Sequence, residues 1–99
     1  MSIKEHMQHV DGKKTGDITL YALSTCGWCK KAKGLLNALD LDYHYVDVDL
    51  LADAEQQEAT ETIRRWNPAC SFPTLVIDNK RCIIGFKEEE IRGLMTNAG

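Results

Sequence analysis

Two cysteines three positions apart, in the stretch Cys26-Gly27-Trp28-Cys29, are the residues of this chain best suited to chemistry. Thiols at that spacing either close a disulfide with each other or supply two of the four ligands of a zinc knuckle. The surrounding elements decide between these. Ile18 to Leu23 is a short run rich in β-formers and reads as a buried strand. Cys29, Ala32, Leu35, Leu36 and Leu39 recur at the spacing of one helical face. They predict a helix from about Gly27 to Leu39, with Lys30, Lys31 and Lys33 on its wet side. Ser24 and Thr25 stand where a hydroxyl caps a helix. Cys26 then lies at the helix N-terminus, where unpaired N–H groups and the dipole favour an anion. A thiolate is such an anion, so the Cys26 pKa is expected below that of free cysteine. Lys30 and Lys31 add positive potential, screened by solvent. Cys29 falls one turn inward, within disulfide reach.

The chemistry that follows is thiol–disulfide exchange. Cys26 attacks a substrate disulfide, and Cys29 then attacks the Cys26 sulfur and frees the reduced product. The protein is left oxidised and must be re-reduced, and no metal or organic cofactor is needed. The zinc alternative requires a second pair at short spacing. Cys70 and Cys82 are separated by eleven residues with no histidine beside either, so redox is the preferred reading.

A length of 99 residues, 43% of them hydrophobic, fits one domain with a modest core. Twelve basic against fifteen acidic side chains, a net charge of -3, argue against nucleic acid as a main partner. No apolar run approaches the roughly 20 residues of a membrane span. Met1 to Val10 is polar and has no secretory h-region. The protein is therefore expected in the cytoplasm, as a monomer, where four cysteines do not make a structural disulfide framework.

Along the chain, residues 1–17 form an extension, and 18–99 form the domain. Ile3 to Val10 reads as an edge strand folding back through Asp11-Gly12 onto the next strand, with a frayed tail as the alternative. Tyr43 to Val48 is a second strand of the domain, completing a right-handed parallel crossover. Asp53 and Gln56 resemble a capping box ahead of a helix whose face holds Ala59, Ile63 and Trp66 and which ends at Pro68. Thr74 to Ile77 and Arg81 to Ile84 form a hairpin through Asp78-Asn79-Lys80. Ile91, Leu94 and Met95 mark a last helix, opened by Glu88-Glu89-Glu90. The order β-α-β-α-β-β-α implies an α/β fold, a small mixed sheet with helices packed on it.

In order and spacing, the stretches Ile18-Thr19-Leu20-Tyr21, Thr25-Cys26-Gly27-Trp28-Cys29, Tyr45-Val46-Asp47-Val48-Asp49, Phe72-Pro73-Thr74 and Ile84-Gly85-Phe86 resemble a glutaredoxin of the thioredoxin superfamily. The resemblance covers about residues 18–97. It implies a thioredoxin-type fold, a four-stranded mixed sheet with three helices, to which the extension adds a strand. It also implies a cis bond at Pro73, which the residues alone do not favour. Phe72 would then pair backbone-to-backbone with the bound substrate, a form of strand addition. Gly27, Trp28, Phe72, Pro73, Gly85 and Phe86 become the expected substrate-binding residues, Cys26 and Cys29 the catalytic ones. Partners would be disulfide-bearing proteins. The reductant would be a small thiol, glutathione or another such as coenzyme M, or a protein reductase.

Three departures from the family pattern bear on that reductant. The motif's middle pair is Gly27-Trp28 where Pro-Tyr is common. Leu23 stands where glutathione-binding members often carry lysine. Ile84-Gly85-Phe86-Lys87 stands where they often carry Gly-Gly followed by Asp, which weakens close backbone approach and charge pairing. The single glycine followed by Phe resembles the thioredoxin-like glutaredoxins that serve ribonucleotide reductase. An alternative function, implied by some family members, is iron–sulfur cluster binding or carriage through the first cysteine.

Other candidates have plain readings. Cys70 packs as a small hydrophobe or serves as a third redox thiol, and Cys82 and Trp66 read as core. Tyr43 and Tyr45 share a strand face for packing. His6 and His9 read as surface histidines rather than metal ligands. Arg64 and Arg65 lie either on a solvated helix face or toward a ligand carboxylate.

Overall fold

The computed structural model describes residues 7–96. Five strands form one sheet in the order β1-β3-β2-β4-β5, where β1 is Gln8–Val10, β2 Ile18–Ala22, β3 Tyr43–Asp47, β4 Thr74–Ile77 and β5 Arg81–Ile84. Only β2 and β3 run parallel; every other pair is antiparallel. Helix α1 (Gly27–Ala38) makes the crossover between β2 and β3, α2 (Asp53–Trp66) leads to β4, and the short α3 (Glu88–Arg92) follows β5 and runs into a 3-10 turn. No helix among the described residues is long and apolar enough to cross a membrane. The fold is the thioredoxin-type arrangement that the sequence implied, with the extra strand.

Alternation along β2 divides the core. Ile18, Leu20 and Ala22 face one side with Leu75 and Ile77, where they meet Cys29, Ala32 and Leu36 of α1 and Ile91 of α3. Tyr21 faces the other side with Val46 and Val76, under Ala59 and Ile63 of α2. Two helices thus cover one face of the sheet and a single helix covers the other. Trp66 and Cys82 are only half-buried, so neither is the core residue the sequence suggested. The hairpin loop places Asp78 and Asn79 at φ 55° and 53°, a left-handed conformation that these two residue types tolerate.

The extension differs from expectation in its partner. It pairs with β3, His9 opposite His44, and not with β2. The reason is topological: β2 already has a neighbour on each side, whereas β3 has an open outer edge. The Ile3–His6 part of the expected strand lies outside the described residues. Downstream of β1, Lys13 N–H donates to the Asp40 carbonyl and Asp42 N–H to the Lys13 carbonyl, at 2.6 and 3.0 Å. His9 contacts the Asp42 carboxylate through Nε2 at 2.9 Å, and its ring stacks on His44. That hydrogen bond holds the Asp42 carboxyl below its usual range.

Two helix starts also differ. Gln56 does not close a capping box with Asp53: Ala52 occupies the cap position and the Gln56 amide donates to the Val48 carbonyl at 3.1 Å. Neither Ser24 nor Thr25 caps α1; Cys26 does, with its own sulfur.

Gly12 passes so close to the chain at residues 40–41 that a Cβ there would stand 2.5 Å from the Leu41 carbonyl carbon. Backbone cannot yield as a side-chain tip does, so Gly12→Ala should destabilise the fold by about 1–3 kcal/mol. Denaturant unfolding should show that loss, and hydrogen exchange should show reduced protection at Gln8–Val10.

Candidate active site

Strand β2 delivers the chain to its C-terminal end, where a tight turn closes with the Cys26 N–H donating to the Leu23 carbonyl at 3.2 Å. Cys26 keeps an extended backbone, φ −86° and ψ 118°, and α1 begins immediately after it. This is the N-cap position, ordinarily held by an oxygen side chain. Here the Sγ accepts the hydrogen bond, from the Cys29 N–H at 3.3 Å. The turn is held from outside as well: Asp49, just beyond β3, accepts from the Ser24 N–H at 2.8 Å and from its hydroxyl.

The two thiols have opposite surroundings. Cys26 is half-exposed and Cys29 fully buried, as its place on the apolar face of α1 requires. Partial burial works to raise the Cys26 pKa. Hydrogen bonds from the Cys29 thiol and from the Cys29 and Trp28 backbone outweigh it, and the group lies below the ordinary thiol value. Burial first, and then the hydrogen bond to Cys26 and its charge, push Cys29 up to about 12. The Leu23 backbone and the Lys33 ammonium oppose that rise. Lys33 is fixed on the inner flank of α1, 2.8 Å from the Asp47 carboxylate and 4.4 Å over the Tyr45 ring. The lysines expected on the wet side are therefore two: Lys30 and Lys31 are exposed, and Lys33 is half-buried.

The predicted substrate-binding residues come to the same end of the sheet. The Phe72–Pro73 peptide is cis, and Pro73 is buried at the start of β4. Its carbonyl accepts from the Gly85 N–H at 2.8 Å, which ties the turn after β5 to the proline loop. Gly85 sits at φ 85°, where a side chain would be strained. Phe86 follows and meets the Trp28 ring at 6.0 Å between centroids. Cys26, Phe72 and Phe86 all pack against the core cluster that contains Cys29. Gly27 is exposed with open space where a Cβ would stand, so it meets no steric demand there.

Asn67 is the residue that sequence reasoning missed. It is 3% exposed and its amide donates to the Ser71 carbonyl, the Ser71 hydroxyl and the Thr74 hydroxyl at 3.2, 2.9 and 3.2 Å. These bonds clamp both ends of the proline loop. A signal was available: a polar residue just after a helix and before Pro68 invites an amide that satisfies local backbone.

The remaining candidates fall outside the site. Cys70 is a half-buried free thiol at φ 51° against the α2-side cluster. The Cys82 thiol donates to the Trp66 carbonyl at 3.5 Å. Arg64 and Arg65 lie exposed in the last turn of α2, where cations favour the helix dipole. His9 meets Asp42 and Asp11 at the β1 edge, and His6 lies outside the described residues.

Comparison with known proteins agrees with this geometry. The glutaredoxin family model matches residues 18–82. A glutaredoxin-like 8.6 kDa protein encoded in the rubredoxin operon of Clostridium pasteurianum is 32% identical over 78 residues, covering 79% of this chain and 96% of that protein. The glutaredoxin of Methanosarcina mazei superposes with a TM-score of 0.83 at 50% identity, over 88% of this chain and 84% of that one. Methanosarcina acetivorans methanoredoxin gives 0.82 at 47% identity, over 84% and 87%.

The thiolate is the reactive form in alkylation, so the rate follows its fraction. Iodoacetamide labelling of Cys26 should hold a plateau above its lowered pKa and fall as pH drops through it. That fall should come at lower pH than for free cysteine, while Cys29 stays unlabelled at neutral pH.

Proposed function

This chain belongs to the glutaredoxin family, and on that footing we propose that it is a thiol–disulfide oxidoreductase that reduces protein or mixed disulfides through Cys26 and Cys29. The observation that carries the reading is the asymmetry of the two thiols on one helical turn. The outer sulfur is stabilised as an anion and open to a partner. The inner one is buried and kept protonated while the outer one is charged.

That asymmetry orders the steps. The Cys26 thiolate attacks a substrate sulfur, the substrate disulfide breaks, and the departing thiolate takes a proton from solvent. Cys26 is then uncharged in a mixed disulfide. Two of the influences that raised the Cys29 pKa, the hydrogen bond to Cys26 and its negative charge, are thereby removed. Cys29 becomes easier to deprotonate at the moment it is needed, and the Lys33 ammonium favours its anion. It attacks the Cys26 sulfur, closes the Cys26–Cys29 disulfide and releases the reduced product.

The backbone at Phe72, ahead of cis Pro73, supports a role in aligning the substrate strand. Trp28, Gly85 and Phe86 form the other flank. An intramolecular partner for Cys26 one turn inward favours exchange over the iron–sulfur carrier reading. Electrons would come from a small thiol or a protein reductase, in the cytoplasm. Lys87 beside Gly85 and Leu23 ahead of Cys26 support a donor other than glutathione.

Cys26→Ser should abolish reduction of a model disulfide. Cys29→Ser should retain the first attack and accumulate a mixed disulfide with the substrate, visible by mass spectrometry. Retained turnover in Cys26→Ser would remove that residue from the nucleophile role. Parallel assays with glutathione, coenzyme M and a thioredoxin reductase as donors against one disulfide would identify the reductant.

A further inference from the structure

Two large apolar side chains stand out as exposed among the described residues: Trp28, 57% accessible, and Leu50, 70%. A scattered surface leucine is ordinary and calls for no account. Three features separate Leu50 from that class. First, its backbone is not loose. Val48 before it is 3% exposed, Leu51 after it packs against the α2-side core, and the adjoining Asp49 holds Ser24. The Gln56 amide secures the same turn through the Val48 carbonyl. The leucine is thus displayed from a fixed support, at low entropic cost to whatever meets it.

Second, it stands at the edge that carries the dithiol. Strands β2 and β3 are parallel, with Ala22 opposite Asp47. Cys26 lies four residues beyond the first and Leu50 three beyond the second, and the Asp49–Ser24 contact joins the two turns. Trp28 leans toward the opposite side, on Phe86 beyond β5. In the strand order, β3 and its leucine lie to one side of β2, and β4 and β5 to the other. Both exposed apolar side chains therefore belong to the end of the sheet that carries the sulfur.

Third, the two sides differ in charge. Lys31 Nζ lies 4.5 Å over the Trp28 ring, and Lys30 is its neighbour. Neither has a carboxylate partner among the described residues, whereas Lys87 is compensated by Glu90 at 3.8 Å. On the Leu50 side the charges are compensated or acidic: Lys33 is paired with Asp47, Asp49 is satisfied by Ser24, and Asp53 is exposed. A complementary partner is acidic toward Trp28 and apolar toward Leu50.

We propose that Leu50 and the Lys30–Lys31–Trp28 patch are the two halves of a docking surface for an extended polypeptide whose disulfide cysteine has an apolar residue on one side and an acidic residue on the other. This rests on the oxidoreductase reading above and assigns its substrate class. A chain laid beside Phe72 by strand addition reaches both anchors, which a small disulfide centred on Cys26 does not. The surface acts on encounter and alignment, so it bears on the rate at subsaturating substrate and not on the exchange step.

The test uses pre-reduced full-length protein in single turnover. The probes are short synthetic peptides with a central cysteine as its thionitrobenzoate mixed disulfide, read by the thionitrobenzoate released. Leu stands on one side and Glu on the other, in both orders. Controls replace Leu by Ser or Glu by Lys, and the mixed disulfide of 2-mercaptoethanol with thionitrobenzoate is the small substrate. The favoured order should react about fivefold to tenfold faster than either control, as expected for one partly buried leucine or one charge contact at low salt. The Glu/Lys difference should shrink at high salt. In Leu50→Ser, the Leu/Ser discrimination should vanish while the small disulfide reacts at its wild-type rate. Equal rates for peptides and controls, or discrimination surviving in Leu50→Ser, would overturn the docking surface alone. Absence of reaction with the small mixed disulfide would overturn the oxidoreductase reading and the inference with it.

Discussion

The reactive end of this molecule is organised around one hydrogen bond, from the Cys29 N–H to the Cys26 sulfur. A helix start leaves several backbone donors without partners, and proteins usually satisfy the first with a hydroxyl or carboxylate. Here a cysteine sulfur takes that place. The same contact that begins α1 therefore helps the Cys29 thiol and the Trp28 backbone to lower the pKa of the nucleophile, and the residue that donates it carries the second sulfur. Helix geometry links the two functions: one turn inward is both the N3 donor and the first buried position of the apolar face. Separating the thiols by another residue would lose one or the other.

The contact needs a rigid surround, and three polar ties supply it from different elements. Asp49 holds the turn before Cys26, Asn67 holds the ends of the proline loop, and the Gly85 N–H holds the Pro73 carbonyl. The first and third join segments distant in sequence, and the second closes a local loop. The apolar contribution is less specific. Cys29 is one member of a continuous core with Ala32, Leu36, Leu75 and Ile91, so packing fixes the depth of the inner thiol while the polar ties fix the position of the outer one. Lys33 joins α1 to β3, its ammonium held by the Asp47 carboxylate.

Much of this was legible in the residues because it depends on local periodicity. The strand and helix around Cys26 follow from alternation and from the spacing of Cys29, Ala32, Leu35 and Leu36, and both hold within a residue at their ends. The parts that were not legible are contacts between distant segments. Ser24 looked like a helix cap because a hydroxyl in that position usually is one. Asp49, which draws it away, lies twenty-five residues downstream. Asp53 and Gln56 had the spelling of a capping box, but the Val48 carbonyl was the nearer need. The cis bond at Pro73 came from family resemblance and not from the residues themselves. The docking of the extension onto β3 required knowing that both sides of β2 were occupied.

That docking bears on solubility. A crossover unit built from two parallel strands leaves one of them with a row of unpaired amides facing water, and such a rim templates association between copies. Residues 8–10 pair with that rim, and the imidazole–carboxylate contact at Asp42 places charge beside it. The segment ahead of the domain thus replaces the five-residue rim of β3 with a three-residue edge strand flanked by charge, a form that resists pairing with another copy.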